Sequence, residues 1–153
     1  MRSRIPGVLN PNSVLDEVFV QGGNGKGSTN ANVRRYTSLV RSSGCAITYA
    51  DSATLGGSFT INTPGVYSVA AMELSNTSDY GLAITRNLTG FQYTNADNML
   101  GISTAANLNC SVSGLYVFSA GDIIRALINH LCGHDATYAG GMSMRIVLVT
   151  RTG

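Results

Sequence analysis

From residue 33 onward the chain is divided into short apolar or alternating runs, each closed by turn-forming residues, and this spacing leaves little room for long helices. The runs are RYTSLVR (35–41), CAITYA (45–50), GSFTIN (57–62), GVYSVAAMEL (65–74), YGLAITR (80–86), FQYT (91–94), LYVFSA (115–120), IIRALIN (123–129) and MRIVLVT (144–150). With 18 Gly, no Trp, 12% charged residues and no sustained heptad pattern, the chain reads as all-β, one domain with the strand spacing of a sandwich or jelly roll. Its length suffices for one core without disulfide or metal support.

Ahead of these runs, residues 1–13 carry Pro6 and Pro11, which disfavour helix and cannot donate to a ladder, so this part reads as an extended arm. VLDEVFVQ (14–21) is expected as an edge or added strand, and GGNGKGSTNAN (22–32) as a flexible loop. The expected organisation is thus an arm and loop over 1–32 and a jelly-roll domain over 33–153.

One segment has two readings. GDIIRALINHL (121–131) places Ile123, Ile124, Leu127, Ile128 and Leu131 at helical spacing behind a capping Asp122. As a strand it puts Ile124, Ala126 and Ile128 on one face and Ile123, Arg125 and Leu127 on the other.

The strand over 65–74 is unusual because its alternation is lost. Tyr67, Val69 and Ala71 point one way, and Ser68, Ala70, Met72 and Leu74 the other, so both faces are largely apolar or small. A strand that is dry on both faces needs cover on both.

Charge is unevenly placed. Residues 1–41 hold Arg2, Arg4, Lys26, Arg34, Arg35 and Arg41 against Asp16 and Glu17, whereas the remainder of the chain has a net negative charge. Scattered cations without interleaved aromatic residues do not make a nucleic-acid footprint. Arg2, Arg4, Arg34 and Arg35 are the candidates for contact with a protein partner. No run is long enough to span a bilayer as a helix, and the first residues carry no apolar signal core, so the chain reads as a cytoplasmic product that does not engage membranes. Cys45, Cys110 and Cys132 are odd in number and widely spaced, which points to thiols instead of a disulfide framework.

Catalytic chemistry finds little support. His130, Cys132 and His134 alternate in NHLCGHD, so on an extended segment they would face one side as zinc ligands, which is the basis for a remote reading as a zinc-dependent hydrolase. Only three strong ligands are local, and a Cys and His two apart on a strand point parallel, without converging on a substrate. Gly25-Lys26-Gly27-Ser28 lacks the spacing of a phosphate-binding loop. Asp122 is expected to accept hydrogen bonds within its own turn, and Phe59 and Tyr67 to be packing aromatics. The expectation is no enzyme, no metal and no cofactor.

GSFTINTPGVYSV, YGLAITRN, SGLYVFSAGDIIRALI and GGMSMRIVLV, in that order and spacing, resemble the jelly-roll module of complement globular heads and tumour necrosis factor (TNF) relatives. The resemblance covers roughly residues 33–151 and selects the strand reading for 122–129. It implies a homotrimer, with one sheet of each subunit packed about a three-fold axis. Tyr67, Val69, Ala70, Met72 and Leu74 are then the candidate interface residues. Without a Gly-X-Y stalk or a signal segment, and with a basic arm, the chain looks like structural proteins of tailed bacteriophages. The implied role is a capsid decoration (cement) protein in the virion, bound to the major capsid protein. The alternative is a tail-fibre or receptor-binding module.

Overall fold

A computed structural model of the chain describes residues 15–23, 25–29, 32–74, 80–88, 98–105, 109–128 and 142–152. The described residues form twelve strands: β1 (Glu17–Gln21), β2 (Gly25–Lys26), β3 (Arg34–Arg35), β4 (Ser38–Ser43), β5 (Ile47–Ser52), β6 (Gly56–Ile61), β7 (Gly65–Leu74), β8 (Tyr80–Arg86), β9 (Met99–Ala105), β10 (Asn109–Phe118), β11 (Ile123–Ile128) and β12 (Ser143–Arg151). Among the described residues there is no α-helix.

The strands form two five-stranded sheets, ordered β10-β7-β12-β1-β4 and β5-β6-β11-β8-β9, plus the two-stranded β2-β3 ribbon. Every pairing is antiparallel. The alternation in the sequence explains the sandwich directly. In β6 the inward Phe59 and Ile61 alternate with Ser58 and Thr60, and in β12 Met144, Ile146 and Leu148 are buried while Arg145 and Val149 are not. The two inner faces close one core that includes Val18, Val20, Phe59, Tyr67, Val69, Leu82, Ile84, Phe118, Ile124 and Ile128. Its rings pack as tilted pairs, Tyr49 with Phe59 at 4.8 Å and Tyr67 with Phe118 at 5.6 Å between centroids.

The segment with two readings is a strand. β11 lies between β6 and β8, where Ala126 pairs with Ile84 and Leu127 with Ala83, so its inward residues join the sandwich core and Leu127 faces outward. A helix there would leave β6 and β8 without their shared neighbour, and the backbone pairing of a central strand outweighs local helical spacing. The turn ahead of it is built by Gly121 at φ 92° and by the Asp122 carboxylate, which accepts from the Ser119 amide at 2.9 Å and from Asn87 Nδ2 at 2.6 Å.

Three expectations are corrected. Residues 17–21 are not an edge or part of an arm: β1 is an interior strand between β12 and β4. The stretch expected as a loop contributes β2, which pairs with β3. RYTSLVR is two strands, β3 and β4, interrupted at Tyr36-Thr37, and β9 is a strand the apolar runs did not reveal.

Candidate assembly face

The outward face of the β10-β7-β12-β1-β4 sheet can be assembled row by row from its register. Leu115, Ser68, Val147, Glu17 and Ser43 lie across one row, and Ser113, Ala70, Arg145, Phe19 and Arg41 across the next. Ser111, Met72, Ser143, Gln21 and Ser38 form a third, while Val117 stands opposite Val66 at the other end. Small residues in the middle, ringed by Phe19, Met72 and Arg145, leave a groove of about 380 Å³. Leu115 is 66% and Val117 64% exposed at one end of β10, and Met72, beyond the Ser113 and Ala70 row, is 41% exposed on β7.

The other sheet handles its outward face differently. Val33, Ala83, Leu88 and Leu127 are buried together there, with Met99 packed against them, while Ile102 of β9, opposite Ala83, stays 52% exposed. The two faces are therefore unequal: one has most of its apolar residues covered within the chain, the other leaves Leu115, Val117 and Met72 open.

β7 divides as the sequence alternation requires. Ala70 and Met72 are exposed and Leu74 half-buried on the open face, whereas Tyr67 and Val69 have no exposure and point into the core with Glu73. Of the candidate interface residues the structure thus brings Ala70, Met72 and Leu74 together and separates Tyr67 and Val69 from them, because successive residues of a strand alternate sides.

The cations separate as well. Arg34, read from sequence as a partner contact, is among the largest fully buried side chains and cannot reach a partner. Its Nε donates to Glu73 Oε1 at 2.7 Å, NH1 to the Gly25 carbonyl at 3.1 Å, and NH2 to the Gly23 carbonyl and to Met142 Sδ. The Tyr36 hydroxyl donates to the same carboxylate oxygen at 3.3 Å, and the guanidinium carbon lies 5.5 Å from the Tyr36 ring centre. Burial, reinforced by the Glu73 charge, pushes the Tyr36 hydroxyl well above the ordinary tyrosine range. This cluster ties β7 and β3 to the β2 segment and to residue 142. Arg35 makes a two-point pair with Asp51 at 3.0 and 2.7 Å on the partly exposed surface. Arg2 and Arg4, and His130, Cys132 and His134, lie outside the described residues. Cys45 is an exposed cysteine and Cys110 a buried one that joins the core.

Sequence reasoning missed a charged group on the open face. Glu17, at the start of β1, is buried to 3% exposure and takes Arg145 Nε on Oε1 at 2.7 Å and Arg41 NH1 on Oε2 at 3.4 Å. The register that brings residue 17 beside 145 is the information the linear chain does not display.

This geometry, two five-stranded antiparallel sheets with the order given above, defines a TNF-like jelly roll. The solved structures it resembles include murine APRIL at pH 8.0, with a TM-score of 0.64 and 16% identity over 89% of this chain and 100% of that one. Murine APRIL at pH 5.0 gives a TM-score of 0.61 at 13% identity over 89% and 100% of the two chains. GITRL from bushbaby gives 0.55 at 17% identity over 88% and 96%. These likenesses are of fold. No family model and no curated protein matches the sequence.

Proposed function

We propose that the chain is the protomer of a homotrimeric, non-catalytic structural protein and, within that class, a capsid decoration protein that binds and stabilises the assembled head of a tailed bacteriophage through the major capsid protein. The single observation that carries the assembly is the exposure of Leu115, Val117 and Met72 on the β10-β7-β12-β1-β4 sheet, where the other sheet has most of its apolar outward residues covered. Covering Leu115, Val117 and Met72 contributes on the order of 1 kcal/mol each per protomer, and three copies around a closed ring recover it three times.

The capsid assignment draws on the basic segment at residues 1–13 and on the multivalency that three arms would give a trimer on a symmetric shell. A protein that binds only the assembled shell raises the free energy needed to separate its subunits. Sedimentation equilibrium tests the first half: the wild type is expected as a trimer, and Leu115→Glu, which sets a carboxylate at the most exposed apolar position of the open face, as a folded monomer. Imaging virions by cryo-microscopy tests the second half, with density expected at three-fold positions of the head. Density on the tail would instead assign the tail-fibre or receptor-binding role. Deleting residues 1–13 is expected to lower head occupancy; unchanged occupancy removes the arm from the docking mechanism.

A further inference from the structure

We propose that Arg41 and Arg145 hold an inorganic oxyanion of the sulfate or phosphate kind on the open face, and that this anion is a component of the assembled protein; the proposal rests on the assembly reading above. The two arginines flank Phe19 in one cross-strand row, Arg41 on β4 and Arg145 on β12, and both side chains reach two residues along β1 to the same carboxylate. Opposite oxygens of Glu17 are thereby occupied by two guanidinium groups, leaving one positive charge in excess. Each guanidinium has five N–H donors. Glu17 accepts one from each, and the side chains remain 64% and 50% exposed.

In water such an excess costs little. Under a second subunit it sits in a medium of low dielectric beside apolar side chains, where an uncompensated guanidinium opposes association. A neutralising group has to come from somewhere. Among the described residues a second copy has no spare carboxylate: Asp16 holds Arg151, Asp51 holds Arg35, Glu73 holds Arg34, and Asp122 is bound by the Ser119 amide and Asn87. A small oxyanion with several acceptor oxygens answers the two forks of donors, as arginine pairs do elsewhere. The Ser113 and Ser143 hydroxyls line the adjoining groove on the Arg145 side.

The test uses the full chain. Sedimentation is followed over a range of protein concentrations at neutral pH in sodium chloride and in sodium sulfate of equal ionic strength. If each protomer's site fills only in the trimer, sulfate at ten times its dissociation constant raises the trimer association constant roughly 10³-fold. Sulfate also strengthens apolar burial in general, so the variants carry the decision. Arg41→Gln, at the more exposed position, is expected to reduce the difference between the two salts to the general effect. Glu17→Gln is expected to enlarge it, because both guanidinium groups then lack a carboxylate. Equal association in the two salts, or a sulfate effect unchanged in Arg41→Gln, overturns the site. Monomer in every buffer refutes the assembly reading instead. Calorimetric titration of that monomer with sulfate then decides the site: binding lost in Arg41→Gln upholds an anion site, and no binding overturns it.

Discussion

Replacing Glu73 by Gln removes the counter-charge of an arginine that has no route to water. Both side chains of the Arg34–Glu73 pair are without exposure. Gln keeps the shape and one acceptor oxygen, so the change isolates charge from packing. Stranding one member of a buried ion pair costs about 3–5 kcal/mol. For a domain of this size each kcal/mol shifts the melting temperature by about 2–4 °C, giving a fall of roughly 6–20 °C. Urea denaturation at fixed protein concentration, which holds the assembly contribution constant, reads the same loss as a lower midpoint. Replacing both residues together, Arg34→Met with Glu73→Met, is expected to recover part of the loss, because neither charge is then buried alone. Recovery stays partial: the carbonyls of Gly23 and Gly25 lose the donors that Arg34 supplies. A loss under about 1 kcal/mol for Glu73→Gln would refute the reasoning, since it would mean the guanidinium is solvated in a way its burial forbids.

Gly44 occupies φ 72°, and a Cβ there would meet Asp16 Oδ1 at 1.8 Å, so Gly44→Ala is expected to cost about 2 kcal/mol or more in urea denaturation. Asp16 itself is expected to make the fold acid-sensitive. Burial works against its carboxylate, but the Ala46 and Cys45 amides and the Arg151 guanidinium outweigh this and hold its pKa below the ordinary value. Its contribution is present above the unfolded carboxylate pKa and lost as pH falls through the lowered folded one. Asp16→Asn therefore flattens the acid limb of a stability-versus-pH curve. At the alkaline end, burial pushes Tyr36 and Tyr67 above the usual range and Tyr49 to about 12. Unfolded tyrosines ionise near the ordinary value of about 10, so the stability these three supply is complete below that pH and disappears as pH rises through their folded values. Ultraviolet titration of tyrosinate is expected to show them ionising late and together with unfolding.

Much of the sandwich was legible because strand formation here is local. The alternation of Phe59, Thr60, Ile61 and Asn62, the Pro64-Gly65 turn and the Gly121-Asp122 turn locate β6, β7 and β11 from neighbouring residues alone. β9 escaped because Met99-Leu100-Gly101-Ile102-Ser103 neither alternates cleanly nor ends on a strong breaker. The lost alternation over 65–74 correctly marked a strand with apolar residues on both sides. It could not say which residues share the open face with Leu115, Val117 and Phe19, because those come from β10 and β1.

By itself, then, the sequence determined most of the segments that extend and, for those, which side of the strand is apolar, since both follow from a period of two along the backbone. The tertiary structure alone decided the fate of the charges. Arg34 and Arg35 are adjacent in the chain, yet one is buried against Glu73 and the other sits partly exposed on Asp51. Strand parity sends them to opposite sides, and strand register chooses their partners 39 and 16 residues away. Glu17 acquires its two arginines in the same manner, through pairings with β4 and β12. Coulomb interactions depend on distance in space, and only the closed sheets set that distance.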